Sequence, residues 1–280
     1  MGRVTRRVPR TRVDVACGTR VTRPDTVAVE EPLEVRVGGR PVATTMRTPG
    51  DDFDLALGHL LTEGLLGSAK DVATMVHCSD VDESGSPTFN VVDLTLAPGA
   101  VLRAPPRERT EPMTSACGVC GSATVDAVTT ASRFAVAADP LAVPADVVAG
   151  LPGRLREHQR AFDRTGGVHA AGLLTARGEV LAVREDVGRH NSVDKVVGAV
   201  ARERELPLCG LVLLVSARAS FEIVQKALVA GVPMVVAVSA PSSLAVELAG
   251  RAGLTLVAFT RAPTLSIYAG AHRVTDAAGG

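Results

Sequence analysis

The chain has 280 residues with 30 basic and 30 acidic side chains, and it is 46% hydrophobic but only 2% aromatic. This length allows one large domain or two modest ones with a hydrophobic core, and the hydrophobic content excludes disorder as the state of most of the chain. The zero net charge argues against a general nucleic-acid-binding protein, which normally carries an excess of basic residues.

The N-terminal segment is rich in arginine, with Arg3, Arg6, Arg7, Arg10 and Arg12, but no apolar stretch follows. A signal peptide is therefore not expected, and we expect these residues to form a frayed tail. Further along, the longest apolar runs span about ten residues, half of what a membrane helix needs. Five scattered cysteines do not form a disulfide framework. We expect a cytoplasmic protein with reduced thiols and no membrane partner.

The first half of the chain predicts a small β-rich domain. Alternating residues 33–37 precede a Gly-Gly turn, residues 51–66 have the spacing of an amphipathic helix, and residues 89–96 resemble a further strand. A stretch of about 25 residues, 98–122, has little periodicity and contains Cys117 and Cys120; loops of this length are usually functional or disordered. A shift in composition predicts a boundary near residue 145, which gives domains 1–145 and 146–280.

The second half predicts an α/β domain. The expected elements begin with a hairpin (172–176 and 179–184), a helix (191–205) and a strand (211–215). They continue with a helix (219–230), a strand (233–238), a helix (242–252) and a strand (254–259). Asn191 is a suitable cap for the first helix. This alternation predicts a largely parallel sheet with helices on both faces, in the order of cytidine-deaminase-like folds. The predicted fold class is therefore α/β (α+β overall). A smaller β-rich domain comes first in the chain, and a three-layer α/β domain follows it.

Cys117-Gly118-Val119-Cys120 is the first candidate for chemistry. Glycine neighbours permit close approach of a partner, and an accessible, partly ionised thiol can accept and donate sulfur. Half of a zinc site, with His77 and Cys78, is an alternative, although four ligands are needed and no second Cys-x-x-Cys exists. A thioredoxin-like redox pair is another, although that motif normally opens a helix after a strand.

A polar turn before the predicted helix at 191 is the second candidate. Free N–H groups at a helix start favour anions, and arginine binds phosphate with two parallel hydrogen bonds. The predicted phosphate- and nucleobase-contacting residues are Arg189, His190, Asn191, Asp194 and Lys195. The alternative is that these residues form a solvated helix start without a ligand. Because ligands of open α/β sheets bind at the carboxyl ends of strands, Arg218 and the Gly-Gly-flanked His169 join this predicted crevice, although His169 could equally be a core histidine.

These motifs together resemble the FdhD family of formate dehydrogenase accessory sulfurtransferases. The resemblance covers roughly residues 30 to 268, through segments 46–52, 61–64, 115–121, 165–171, 185–195, 216–226 and 239–248. It implies a homodimeric sulfurtransferase that takes sulfur from a cysteine desulfurase as a persulfide. The sulfur passes to a molybdenum bis(molybdopterin guanine dinucleotide) cofactor for formate dehydrogenase, and GDP is expected to mimic that cofactor.

The resemblance also assigns residues. Cys117 becomes the persulfide carrier and Cys120 its partner, and the cofactor-binding segment comprises Phe259, Thr260, Arg261, Ala262, Pro263 and Thr264. No metal ligands or nucleic-acid partner are implied. A zinc deaminase is a rival on fold grounds, but the Glu and the cysteines that it needs at the two helix starts are missing. A chaperone that binds the molybdenum cofactor without transferring sulfur remains the alternative function.

Overall fold

The computed structural model of the protein describes residues 4–78, 88–103 and 133–276. Within them the strands are β1 (Thr5–Val13), β2 (Arg20–Ala28), β3 (Glu31–Val37), β4 (Arg40–Arg47), β5 (Val72–His77), β6 (Val91–Leu96), β7 (Val143–Pro144), β8 (His169–Thr175), β9 (Val180–Asp186), β10 (Leu211–Val215), β11 (Met234–Ala237), β12 (Thr255–Arg261), β13 (Thr264–Ala269) and β14 (Val274–Thr275). The helices are α1 (Asp52–Thr62), α2 (Ala145–Arg156), α3 (Arg160–Thr165), α4 (Arg189–Ala201), α5 (Phe221–Ala230) and α6 (Ser243–Ala252).

The predicted β-rich first half contains a four-stranded sheet in the order β4-β3-β6-β5, covered by α1. Period-two alternation in β3 buries Leu33 and Val35 against the leucines of α1, as the sequence predicts. Helix α1 ends four residues earlier than predicted because Gly64, at φ 72°, turns the chain out of the helix. The predicted strand at 89–96 is confirmed as β6.

A six-stranded sheet forms the second half, in the order β13-β12-β11-β10-β8-β9. All of the predicted helices and strands between 172 and 259 are present, with no end shifted by more than four residues. The prediction of a largely parallel sheet was wrong, because the sheet is mixed. Only β10, β11 and β12 run parallel, since the β8–β9 hairpin and the returning strand β13 occupy the two edges.

Helices cover both faces of this sheet and confirm the three-layer α/β fold. Helices α4, α5 and α6 enclose one apolar core, and α2 covers a smaller core on the opposite face. Helix α4 begins after Gly188 rather than at Asn191, whose predicted capping role is therefore wrong; its side chain bonds elsewhere in the fold. No helix among the described residues is long and apolar enough to cross a membrane.

The arginine-rich start of the chain is a β-ribbon, so the expectation of a frayed tail was wrong. Strands β1 and β2 pair antiparallel at nine successive positions, from Thr5 opposite Ala28 to Val13 opposite Arg20. Val and Thr residues in both strands supply the β-propensity that the charge had obscured. Arg164 of α3 donates a hydrogen bond to Thr5, which fixes the base of the ribbon to the body.

Polar contacts join the two halves of the chain. Helices α1 and α4 meet through Gly58 and Gly198, where the two backbones are in direct contact. Beside them the buried Lys226 of α5 forms ion pairs with Asp194 and Glu63. The division into domains 1–145 and 146–280 stays a prediction, but the halves share an extensive interface.

Candidate functional site

The turn between β9 and α4 is held by the buried carboxylate of Asp186. It accepts hydrogen bonds from the backbone N–H of Thr48 (3.0 Å) and of Gly188 (2.8 Å), and from Asn191 Nδ2 (3.0 Å). An ion pair with Lys195, 2.8 Å away, completes its partners. Every oxygen lone pair of Asp186 is thus used to fix the backbone that presents residues 187–190.

Three residues predicted as cofactor contacts have their side chains bonded inside the protein. Asn191 donates to the Met46 carbonyl oxygen at 2.7 Å and accepts from the Thr45 hydroxyl, and the Lys195 ammonium also donates to the Thr48 carbonyl oxygen at 2.8 Å. Asp194 pairs with Lys226 at 2.8 Å and accepts from Thr62 at 2.6 Å. All three side chains are buried, with their polar atoms bound inside the protein, so the geometry gives them a structural role.

Asp194 carries a negative charge in this interior. Burial alone would raise its pKa, but the charge of Lys226 and a hydrogen bond from His59 lower it to about 2. The Lys226 pKa moves in the opposite direction, since the attraction of Asp194 and Glu63 outweighs the cost of burial. The network is therefore ionised at neutral pH.

Arg189 and His190 lie at the opening of the turn, next to His169 of β8. His169 lies opposite Asp186 in the β8–β9 pair and is half-buried. Burial, and then the positive charge of Arg189, lower the pKa of His169 and favour its neutral form. The predicted grouping of these three residues at one end of the sheet agrees with the topology.

Two residues that the sequence analysis did not select complete this cluster. Ser220 Oγ lies 3.4 Å from His190 Nε2, and Glu222 Oε2 lies 3.7 Å from the same nitrogen. The His190 ring lowers the pKa of Glu222 to about 2. Both residues stand at the start of α5, directly after the segment that contains Arg218, and a Ser-x-Glu at a helix start was the available signal.

The second group of predicted contacts lies at the end of β12. Phe259 has φ 48°, a left-handed conformation that is unfavourable for a bulky residue, and its side chain is 49% exposed. Its ring centroid lies 6.5 Å from that of Tyr268 on β13, which the sequence analysis also missed. Arg261, Ala262, Pro263 and Thr264 form the exposed turn between these strands.

Both groups of predicted residues lie along the same edge of the sheet, the one formed by the ends of the strands rather than by an outermost strand. The carboxyl ends of β10 and β12 and the amino end of the antiparallel β8 share that edge, and Arg218 is exposed on the turn that follows β10. Three strand spacings of about 4.8 Å place β12 roughly 14 Å from β8. The predicted residues therefore form two patches along one edge, a distance that a large ligand can span and a single base cannot.

Each patch contains a buried polar atom without a hydrogen-bond partner among the described residues. These atoms are Arg189 Nε and Thr260 Oγ1, and among the described residues only His77 Nδ1 shares this property. Buried polar groups are nearly always hydrogen-bonded because leaving one unpaired costs about 1–3 kcal/mol. An N–H donor in one patch and a hydroxyl in the other thus have unused hydrogen-bonding capacity within the described part of the chain.

The two cysteines predicted to carry sulfur, Cys117 and Cys120, lie outside the described residues. Among those described, Cys17 and Cys209 are exposed and Cys78 is partly exposed, all as free thiols. No group of three or more His, Cys, Asp or Glu side chains able to hold a metal ion occurs in the described part of the chain.

Comparison with known proteins decides the family. The model of the FdhD/NarQ family matches residues 28–275. The chain belongs to the FdhD/NarQ family. It is 53% identical to a protein named sulfur carrier protein FdhD from Streptomyces avermitilis, over 98% of this chain and 97% of that one. It is 54% identical to the protein of the same name from Streptomyces coelicolor, again over 98% of this chain and 97% of that one. It is 52% identical to the one from Mycobacterium tuberculosis, over 91% of this chain and 94% of that one.

A solved structure shares the FdhD/NarQ fold. The crystal structure of a candidate formate dehydrogenase accessory protein from Desulfotalea psychrophila superimposes with a TM-score of 0.74, over 98% of this chain and all of that one. Sequence identity between the two is 21%. The likeness therefore supports the architecture described above.

Proposed function

We propose that this chain is a sulfur carrier for formate dehydrogenase that takes sulfur from a cysteine desulfurase. Relatives with more than half of their residues identical over nearly the full length are named sulfur carrier proteins. The observation in the fold that carries the proposal is the crevice edge, where Arg189 Nε and Thr260 Oγ1 are buried without partners in the described ranges. Such atoms favour a ligand that brings acceptors and donors of its own.

The cargo of this proposal is a molybdenum bis(molybdopterin guanine dinucleotide) cofactor, handled as a substrate. Its phosphates suit the guanidinium groups of Arg189, Arg218 and Arg261, which bind anions with parallel hydrogen bonds. The exposed Phe259 ring offers a flat surface on which a guanine base can stack. Two patches on one edge suit a molecule with two nucleotide arms. The residues present therefore fit the cargo.

Sulfur is loaded by exchange between thiols in this proposal. The Cys117 thiolate attacks the outer sulfur of the desulfurase persulfide, the sulfur–sulfur bond of the donor breaks, and the desulfurase cysteine leaves as a thiolate. Cys117 then carries a persulfide. If the Cys120 thiolate attacks the inner sulfur, a Cys117–Cys120 disulfide forms and hydrosulfide is released, so that the cysteine pair supplies the two electrons. The cargo in the crevice would accept that sulfide in exchange for an oxygen ligand, which leaves as water with the proton of the hydrosulfide and one further proton, and this transfer makes the chain a sulfurtransferase.

Mass spectrometry tests the carrier role. After incubation with a cysteine desulfurase and cysteine, we expect about 32 Da, one sulfur atom, on the peptide that contains Cys117. Cys117→Ala should remove this mass and leave formate dehydrogenase inactive. The matched control is Cys17→Ala, which removes an exposed thiol far from the proposed carrier in sequence and should load normally. Full formate dehydrogenase activity with Cys117→Ala would instead establish the chaperone that binds cofactor without transferring sulfur.

The resemblance also implies a homodimer in the cytoplasm. Sedimentation equilibrium of the purified chain at several concentrations measures the first property directly. A mass of twice 28.9 kDa is expected.

A further inference from the structure

The β1–β2 ribbon has a charge that the proposed function does not use. Residues 1–28 contain seven of the chain's 30 basic residues, all arginine, and only two of its 30 acidic residues. The remaining 252 residues therefore carry an excess of five acidic groups. The ribbon also precedes nearly all of the segment matched by the FdhD/NarQ family, 28–275. It is thus a basic element on an acidic body.

The register of the ribbon collects arginines on one face. Cross-strand partners of an antiparallel pair project to the same side, so Arg10 faces Arg23 directly, and Arg6 and Arg12 share that side. Like charges placed opposite each other destabilise a strand pair. Asp25 pairs with Arg10 at 2.9 Å and is the one carboxylate on this face; Asp14, at the turn, accepts hydrogen bonds from the backbone of Ala16 and Cys17. The face keeps an excess of positive charge.

Shape and apolar content indicate the class of ligand. The ribbon projects as an exposed strand pair, whereas small molecules bind in concave sites. Exposed valines lie on the same face as these arginines: Val21, opposite Arg12, is 47% exposed and Val27, opposite Arg6, is 38% exposed. Arginine combined with apolar side chains is typical of protein interfaces, whereas a nucleic acid backbone gives such valines nothing to contact. An acidic protein surface fits both features.

The position of the ribbon beside the crevice identifies the source of that surface. Its base packs on α3, and Ala28 lies next to Gly167, two residues before His169. A protein docked on the ribbon is therefore held at the edge from which the cargo must leave. We propose that the arginine face of the ribbon, Arg6, Arg10, Arg12 and Arg23, docks an acidic surface of the cargo-receiving enzyme, formate dehydrogenase. This inference rests on the proposed function.

Binding of the purified formate dehydrogenase catalytic subunit, prepared without its cofactor, tests the inference. Biolayer interferometry at 50 and 300 mM NaCl should show that the affinity falls with salt, because salt at about these concentrations screens the attraction between surface charges. The triple variant Arg10→Glu, Arg12→Glu, Arg23→Glu should lose at least about tenfold in affinity at low salt. The control changes three exposed arginines elsewhere, Arg40, Arg177 and Arg204, to Glu and should stay within about twofold.

A lysine version of the ribbon triple variant separates charge from folding. Lysines keep the positive charge and should keep the affinity within about threefold of the native chain. Unchanged binding by the Glu variant, equal losses in the Glu variant and the control, or a lysine variant as weak as the Glu variant would each overturn the inference. So would a halving of the native molecular mass in the Glu variant, because the ribbon would then bind a second copy of the chain.

Sulfur loading distinguishes this inference from the function on which it rests. The ribbon Glu variant should still gain about 32 Da at Cys117 from the desulfurase, since its cysteine pair is intact. A native chain that never gains this mass contradicts the carrier function, whatever the ribbon binds.

Discussion

Gly58 and Gly198 lie against each other where helices α1 and α4 cross. A Cβ atom added to Gly58 would lie 1.8 Å from the carbonyl oxygen of Asp194, and one added to Gly198 would lie 2.0 Å from that of Asp54. Because both clashes are with backbone, no side-chain rotation relieves them. The two helices, which come from different halves of the chain, can approach this closely only through glycine.

Gly58→Ala should therefore separate the helices and lower the free energy of unfolding by about 3 kcal/mol. Urea denaturation followed by circular dichroism measures the change. Gly250→Ala is the matched control, because this glycine lies in helix α6 with open space around it and the added methyl should stabilise by about 0.5–1 kcal/mol. Equal stabilities for the two variants would contradict the close contact.

Asp194→Asn should unpair a buried charge. Breaking one side of such a network costs about 3–5 kcal/mol, because Lys226 keeps its charge with only Glu63 as an acidic partner. The pH dependence follows from the folded pKa of about 2, below the ordinary 3.8. Stability from Asp194 is fully present above the ordinary value and is lost as the pH falls towards 2.

Urea midpoints measured between pH 7 and pH 2 test this assignment. The native chain should lose stability below about pH 4, and the Asn variant should show a shallower loss over the same interval. Parallel curves for the two proteins would show that Asp194 is not the group responsible.

Thr260→Val should separate stability from ligand binding. The variant replaces a buried hydroxyl without a partner by a methyl of similar shape, so the free energy of unfolding should rise by about 1 kcal/mol while GDP affinity falls. Thr255→Val is the matched control. That hydroxyl is equally buried but donates to the Gly270 carbonyl oxygen at 2.7 Å, so its loss should destabilise the fold by about 1–2 kcal/mol and leave GDP binding unchanged.

Calorimetry with GDP and thermal denaturation provide the two measurements. Thr260→Val with unchanged GDP affinity would remove this hydroxyl from the ligand site. A lower melting temperature in the same variant would show that the hydroxyl has a partner in the folded chain.

Arg189→Gln should weaken GDP binding by about tenfold, the usual size of one lost charged hydrogen bond. The same change should raise the pKa of His169, since one of the causes that lower it, the charge of Arg189, is removed while burial remains. NMR titration of the His169 ring measures the second effect. Arg177→Gln, on the exposed β8–β9 turn, is the control and should change neither quantity.

Most of the α/β half could be predicted from its sequence because each element has a clear local signal. Leu211–Val215 is a continuous apolar strand buried on both faces, and Val193, Val196 and Val197 repeat at helical spacing. The edges were harder. Strand β13 follows directly after β12, and its residues are all exposed or half-buried without a regular alternation, so its sequence gives little signal at the sheet margin.

The candidate site was predicted in its location more than in its contacts. Strand ends that bear Arg and His do meet at one edge, since parallel strands impose this. Whether a polar side chain faces the ligand or the interior depends on distant partners, however, and Asn191 and Lys195 are bound by residues 45–48, which lie far away in sequence. A single sequence contains no record of that pairing.

The hydrogen bonds of Asp186 have a consequence for how the folding chain forms its candidate site. Its carboxylate reaches back to Thr48, and Thr48 in turn accepts from the N–H of Val187 and from Lys195. A fragment beginning at residue 146 would have every strand of the larger sheet yet lack the clamp that orients Arg189. We therefore expect a nucleotide site at Arg189 to form only after residues 45–48 have docked against the larger sheet.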